Sequence, residues 1–314
     1  MKKNIDRFVG GFFILLQCLI FGLAFIAVKK LLNRNIPAFL LLSVRFLFGA
    51  LCLFLIGCAM KLAKGNGKVR GISKFTREEI LQGSISGIIL FGAFALQTVG
   101  ANYTTPAKNG VFTDLFVVVV PIINMLLLKK FSLKPFISAF LTFIGATFVL
   151  DLYGDASNFN IGDLITIFAG ILFALQFIVM ERVAQKKSGD LANPYNFTVI
   201  QLLVVAVCSL IVSLLSESAN YADILWDGSM WWIVYLCVVA TAVAYLLQFF
   251  AQEKLSAENT AVLSCSEAMF TLLFSLLFKL DSFSWSLLIG FILMVGGMIL
   301  SSVTIKNKGK TNEK

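Results

Sequence analysis

Four polar side chains recur at helical spacing in an otherwise apolar stretch near the carboxyl end of the chain. Ser264, Glu267, Thr271 and Ser275 would share one face of a helix, because successive residues turn by about 100°. A charged side chain in the middle of a membrane-spanning helix costs roughly 2.5–3.5 kcal/mol on insertion scales, so Glu267 needs a compensating environment. The stripe predicts one of two structures. It lines a water-filled cavity, where Glu267 could exchange protons or bind a cation, or it forms a polar contact between helices.

A second polar stripe lies in an earlier apolar stretch. It comprises Asn109, Thr113 and Asn124, with Pro121 shortly before the last of these. A proline in a membrane helix frees a backbone carbonyl and favours a bend. Asp114 lies about 100° from Thr113 around the helix, so it faces either the rim of the same cavity or a basic partner.

Three more polar residues interrupt apolar stretches. Arg45 is suited equally to pairing with a carboxylate and to holding an anionic group of a ligand. Gln97 and Gln248 can either hydrogen-bond a ligand or lock one helix to another. With the two stripes, these residues form the candidate set for substrate binding or coupling: Glu267, Ser264, Thr271, Asn109, Thr113, Asp114, Gln97, Gln248 and Arg45.

The sequence lacks the residues that several kinds of chemistry require. It contains no His, which is the commonest general base and metal ligand, and its six Cys lie in apolar stretches without metal-ligand spacing. It also contains no phosphate-binding loop. We therefore expect no metal, no cofactor and no enzymatic activity, and any energy for function would come from a gradient.

The elements that position these residues are long apolar segments. Of the 314 residues, 59% are hydrophobic and only 14% are charged, whereas a soluble domain carries about 25% charged residues. A helix needs about 20 apolar residues to cross the hydrocarbon core of a bilayer. Ten candidate runs are present: 10–28, 37–60, 80–98, 109–128, 135–150, 164–180, 197–215, 230–250, 260–278 and 283–303. These runs predict an all-α membrane protein of ten transmembrane helices.

The basic residues between the runs predict an orientation. Most of the 26 Lys and Arg fall in alternate connections, above all in the segment 61–77 and in the tail 306–314. Because basic loops stay in the cytoplasm, both termini are expected there, in a bacterial-type inner membrane. The net charge of +9 is spread over these short loops and does not form the basic face of a nucleic-acid binder.

The two halves of the chain resemble each other at a nearly constant offset. Residues 22–25 match residues 174–177, Gln97 matches Gln248, and residues 144–146 match residues 295–297, at offsets of 151 or 152 positions. We therefore divide the chain into units 1–152 and 153–314, each with five helices. Five is an odd number, so the second unit enters the membrane from the opposite side, which gives an inverted repeat with a site near the midplane.

Several motifs resemble one known family. Phe21-Gly22 and the following residues to Lys29 resemble a pattern W-G-x-x-F-x-x-x-K with Phe in place of Trp. Further matches are Arg45 before Phe46, the run 103–107 with Asn109, Pro121, Ser264 to Ala268, and Asp281, whereas Ala268 and Lys129-Lys130 depart from the pattern. In this order they resemble the EamA-type branch of the drug/metabolite transporter superfamily, and the resemblance covers essentially the whole chain.

The resemblance implies a secondary transporter that moves small metabolites without ATP, often by coupling to protons or by exchange. We expect amino acids or related compounds as substrates, moved by alternating access and most simply exported, with the lipid bilayer as the surrounding partner and the proton as a candidate coupling ion. Gly83 and Gly87 permit close helix packing, either within one chain or between two chains. The protein is therefore expected to be a monomer or a homodimer. The alternatives are a membrane-embedded enzyme acting on lipid or isoprenoid substrates and a passive channel.

Overall fold

A computed structural model of the chain describes residues 2–32, 34, 36–63, 71–104, 106–128, 133–149, 159–185, 193–217, 230–278 and 285–302. In chain order its helices are α1 (Lys2–Leu32), α2 (Ala38–Ala63), α3 (Arg77–Ala101), α4 (Pro106–Asp114), α5 (Phe116–Leu128), α6 (Leu133–Val149), α7 (Ile161–Ala184), α8 (Pro194–Ser216), α9 (Met230–Val234), the π-helical segment Tyr235–Val243, α10 (Ala244–Gln252), α11 (Ala257–Ser264), α12 (Ser266–Leu277) and α13 (Trp285–Ser302). Every regular element in this described part is helical.

The helix starts follow from local sequence. Thr76 and Glu79 form a capping box at the start of α3, and Asn160 and Asp163 form another at the start of α7. In each box the cap side chain accepts from a free backbone N–H, and the acid accepts from the N–H of the cap residue. The ends of these helices are thereby defined by polar residues that the apolar runs do not include.

Two helices that the sequence predicts to be continuous are interrupted. Leu115 separates α4 from α5, and Cys265 separates α11 from α12. Pro121, the expected bend, lies inside α5, six positions beyond the interruption. Cys265 itself keeps right-handed helical backbone angles, with φ −61° and ψ −16°, so the shared face of Ser264 and Glu267 stays a prediction.

The helices pack mainly between the two halves of the chain. The most extensive contacts join α6 to α13, α2 to α8, and α3 to both α7 and α8, while α1 packs against α10 and α12. Glycines permit the closest of these approaches. A Cβ atom on Gly87 would lie 2.7 Å from Val204 Cβ in α8, and one on Gly83 would lie 2.9 Å from Ile200 Cβ. In this structure the two glycines therefore serve packing within the chain.

The described part of the chain has the surface of a membrane protein. Seven helices are long and apolar enough to span a bilayer, and two shorter apolar helices cover 133–148 and 288–301. Large apolar side chains such as Phe8, Phe48 and Leu55 are more than half exposed, which suits contact with lipid rather than with water. The chain is a multi-pass α-helical membrane protein, and the count of ten spans stays a prediction. The segment 64–70, Lys129-Lys130, Asp281 and the tail 303–314 lie outside the described residues.

Candidate functional site

Two carboxylates lie at the helix interruptions. Asp114 is the last residue of α4, and Glu267 lies in the first turn of α12. Both side chains are partly exposed, and each lies within electrostatic range of the other. Among the described residues, none forms an ion pair with either carboxylate or donates a hydrogen bond to it. The two halves of the chain thus bring one acid each to a common region.

Side chains from α1 and α12 satisfy the backbone at the second interruption. Cys18 Sγ donates to the carbonyl oxygens of Leu263 and Ser264, at 3.6 and 3.5 Å, and Ser266 Oγ donates to the Leu263 oxygen at 2.6 Å. The last carbonyls of a helix have no partner within it, so these contacts stabilise the break. The interruption that positions Glu267 is therefore part of the folded structure and is held by specific bonds.

Arg45 is held by the π-helical segment. Its Nε donates to Thr241 Oγ1 at 2.7 Å and its Nη2 donates to the Ala240 oxygen at 2.9 Å. The N–H of Ala244 donates to the oxygens of Val239 and Thr241, so the π-helix leaves the Ala240 oxygen between them to Arg45. Arg45 is also within electrostatic range of Glu267. Its main contacts are with the backbone and hydroxyl of the second half.

Aromatic rings from both halves surround the Arg45 side chain. The guanidinium lies 5.4 Å from the centre of the Phe46 ring and 6.0 Å from that of Phe21. Tyr245 packs edge-on against Phe21 at 5.8 Å and lies within electrostatic range of both Arg45 and Glu267. Cation–π contact of this kind offsets the loss of water around a buried cation.

Asn109, Thr113 and Gln97 form one hydrogen-bonded group. Asn109 Nδ2 donates to the backbone oxygen of Gln97 at 3.0 Å and to Thr166 Oγ1 in α7 at 3.1 Å. Gln97 Nε2 donates to Thr113 Oγ1, and that hydroxyl donates to the Asn109 oxygen. These bonds join α3, α4 and α7, and they occupy the amide nitrogens of Asn109 and Gln97 and the hydroxyl of Thr113 within the protein.

Gln248 belongs to a different group, although its position matches that of Gln97 in the repeat. It accepts from Gln17 Nε2 in α1 and donates to Gln176 Oε1 in α7, each at 3.2 Å. All three side chains are almost fully buried. The two glutamines therefore lock different sets of helices together and do not converge on one point.

The remaining candidates lie next to Glu267 along the chain. Ser264 is the last residue of α11 and is buried. Thr271 Oγ1 donates to the Glu267 backbone oxygen at 2.9 Å, so the hydroxyl hydrogen of Thr271 is already bonded within α12. The side chain of Ser275 lies outside the described residues.

Sequence reasoning missed several residues that build this region. Gln17 and Gln176 gave the clearest signal, since they too are amides in apolar runs. Cys18 and Thr241 gave none, because Cys and Thr are common in membrane helices and a π-helical segment has no sequence signature. Within the described residues, no three His, Cys, Asp or Glu side chains lie close enough to hold a metal ion.

These features define a class of protein. Long apolar helices that are interrupted where ionisable side chains meet, between two halves of the chain, are typical of membrane transporters. The EamA-like transporter family model matches residues 8–151 and matches again at residues 160–303. The chain therefore belongs to this family, within the drug/metabolite transporter superfamily, which confirms the resemblance found in the sequence motifs.

Similar proteins agree with this class without naming a substrate. The chain is 26% identical, over 87% of its length and 79% of the relative, to an uncharacterized transporter of Archaeoglobus fulgidus. It is 21% identical to the uncharacterized transporter YetK of Bacillus subtilis, over 90% of this chain and 83% of that one. A solved crystal structure superposes with a TM-score of 0.72 at 18% identity, covering 95% of this chain and 98% of the other, and shows the same fold.

Proposed function

We propose that this membrane transporter is a secondary carrier that moves small metabolites, amino acids or related compounds, by alternating access between two inverted five-helix units, 1–152 and 153–314. The observation that carries the proposal is the pattern of helix packing. A two-fold axis that exchanges the units relates the main contacts between different helices in pairs, with the roles of the two units reversed.

The packing of the described helices supports such an axis. The contact of α3 with α7 has its counterpart in the contact of α1 with α10. The contact of α3 with α8 is matched by that of α2 with the π-helical segment. The contact of α1 with α12 is matched by that of α7 with α5, and α1 with α11 by α7 with α4. The pairs α2–α8 and α6–α13 would lie on the axis itself. The double match of the family model supports the same division.

Charge balance at the interruptions supports a cation as the coupled or bound species. The groups that act electrostatically on Glu267 within the described chain are the carboxylate of Asp114 and the guanidinium of Arg45. Two acids and one base leave an unpaired negative charge in a region of low polarity, which is costly unless a cation neutralises it. A proton supplies that charge during coupling, and the ammonium group of an amino acid supplies it during binding.

Topology and direction belong to the proposal as well. The basic segment 61–77 and the basic tail favour cytoplasmic termini in an inner membrane. The ion pair between Asp6 and Lys254, at 3.2 Å, joins the start of α1 to the α10–α11 turn, so these two segments lie at the same end of the molecule. We propose export as the direction of net transport.

A thermal-shift screen of the purified protein tests the function. A ligand that binds only the folded state raises the melting temperature with its concentration, by an amount set by its affinity. We expect one or more of the twenty amino acids or their amines to raise it, and lipid or isoprenoid phosphates to leave it unchanged. A shift with the lipid phosphates alone would support the membrane-embedded enzyme instead.

A further inference from the structure

The two interrupted helix pairs pack more closely at one end of the molecule than at the other. α11 packs against α5 and also against α7. Under the proposed inversion, the counterparts of these contacts join α4 to α12 and α4 to α1. Among the described residues, no comparable packing joins α4 to either helix. Within the described part of the chain, the interrupted helices thus pack closely at the end that holds the start of α11, here called the closed end, and less closely at the end that holds the start of α4, here called the open end.

A part-buried hydrogen bond between two side chains joins the two halves at the closed end. Asn124 Nδ2 in α5 donates to Glu258 Oε1, in the first turn of α11, at 2.6 Å. Asn124 is buried, so water competes weakly for this bond. The repeat offset of 151 carries Asn124 onto Ser275 and Glu258 onto Ala107. An alanine side chain cannot accept a hydrogen bond, so position 107 cannot form the bond that Glu258 forms.

Other polar contacts at the closed end differ in kind. Lys134 Nζ in α6 donates to the Ser301 backbone oxygen in α13 at 3.1 Å, between two helices that the proposed axis exchanges with each other. Asp6 and Lys254 also join the two halves, but their side chains are 44% and 29% exposed, so water and salt weaken the pair. Ser301 Oγ donates to Asn259 Oδ1 at 2.7 Å, and both residues belong to the second half. That bond can persist while the halves move relative to each other.

We infer that the Asn124–Glu258 hydrogen bond is a latch that holds the described conformer closed at the α5–α11 end and breaks when the opposite end closes. The inference rests on the proposed carrier function, because a carrier needs both conformers. Asn124 is buried and Glu258 is partly exposed, so water screens this bond less than the more exposed Asp6–Lys254 pair, and the latch outweighs that pair in setting the balance. Because Ala107 cannot form the bond that Glu258 forms, the latch favours closure at the end that contains Glu258.

Accessibility of a single cysteine tests the latch without any substrate. Ala261 of α11 is fully buried in one cluster with Val117 and Val120 of α5, so it becomes reachable only when α5 and α11 separate. In a background without the six native Cys, Ala261→Cys would be labelled with a membrane-impermeant maleimide, applied from either side of vesicles. We expect slow labelling in the parent and roughly tenfold faster labelling with Asn124→Ala, only from the side of the α10–α11 turn.

Two further variants control this experiment. Ser301→Ala removes the bond within the second half and should leave the labelling rate unchanged, whereas Glu258→Ala removes the acceptor and should act like Asn124→Ala. Equal rates in the parent and in both latch variants would overturn the inference. Loss of the monodisperse folded peak in both latch variants would also overturn it, because the bond would then serve stability alone. Neither result depends on substrate flux, so a failure of the latch is distinguishable from a failure of the carrier proposal.

Discussion

The carboxylates of Asp114 and Glu267 differ from the amides and hydroxyls with which they share the candidate set. Asn109, Thr113 and Gln248 have hydrogen-bond partners inside the protein. A satisfied buried group of this kind stabilises a packing arrangement, and a ligand would have to displace its partner to reach it. The two acids have no such partner among the described residues, and so they are the groups most available to a proton or to a substrate.

We predict that Glu267→Gln leaves folding and insertion intact but lowers substrate flux roughly tenfold or more and removes its response to an imposed pH gradient. Gln keeps the shape of the side chain and part of its hydrogen bonding but cannot ionise, so the comparison isolates the charge. Flux into proteoliposomes at several pH gradients measures the effect, with size-exclusion chromatography as the check on folding. Unchanged flux and an unchanged pH response would make Glu267 a packing residue.

A second prediction concerns Arg45, whose two described hydrogen bonds end on the π-helical segment. Lys has a single ammonium in place of the planar fork of Arg, so Arg45→Lys cannot reproduce both bonds. We expect it to lower stability by about 1.5–3 kcal/mol, seen as a melting temperature lower by several degrees. Thr241→Val removes one acceptor and should cost less. If Arg45→Lys melts like the parent protein and only ligand affinity falls, Arg45 is a substrate clamp.

At the scale of elements, tight helix contacts depend on glycines with no room for a side chain. Gly49 of α2 is one example, since a Cβ atom there would lie 2.6 Å from Thr241 Cγ2 in the π-helical segment. Gly22 of α1 is another, with 2.7 Å to Phe270 Cβ in α12. Close approach lets the backbones of neighbouring helices gain van der Waals contact, which replaces the hydrophobic effect that lipid does not supply.

We predict that Gly87→Ala separates α3 from α8 and destabilises the protein by about 1–3 kcal/mol, because the new methyl would lie 2.8 Å from the Gln201 backbone oxygen. Gly11→Ala is the matched control. Its methyl would lie 3.7 Å from Leu263 Cδ1, which is ordinary contact. Melting temperatures in detergent measure both. Equal values for the two variants would mean that α3 and α8 do not need this close approach.

The sequence could predict the apolar helices and the ionisable residues inside them, because charge in lipid is costly enough to be visible at any position. It could not predict the interruptions at Leu115 and Cys265, since neither residue is a helix breaker. It also could not assign partners. Arg45 gave the same signal whether it bound a carboxylate or a backbone oxygen, and the π-helix that offers the Ala240 oxygen depends on packing against α2. Glu258, at a helix end, gave no sign of its bond to Asn124.

At the scale of the whole molecule, we propose that the two halves of the chain form an inverted repeat. First-half helices pack mainly on second-half helices, as α3 does on α7 and α8. In the proposed inverted arrangement Asp114 and Glu267 would lie near a shared midplane, although these two acids are not aligned at the repeat offset. A full superposition should relate 10–152 to 162–304 by a rotation of about 180° about an axis in the membrane plane.

The orientation of α3 in the membrane is directly testable. Lys74 precedes this helix and Tyr103 follows it, and both side chains are exposed. In a background without native Cys, Lys74→Cys should react with an impermeant reagent only from the cytoplasmic side, and Tyr103→Cys only from the outside. Labelling of both positions in intact cells would show that the helix does not cross the membrane as proposed.

Counterflow tests the central claim, that this protein is an alternating-access carrier, most directly. Proteoliposomes would be loaded with the amino acid or amine that gives the largest thermal shift and then diluted into a trace of the same compound in labelled form. In a carrier, the labelled compound can leave only through the same binding site, where the unlabelled compound inside competes with it. We therefore predict that the label transiently accumulates inside above its external concentration. It should not do so in protein-free liposomes. Entry that rises to equality without an overshoot would contradict the account and favour a passive channel.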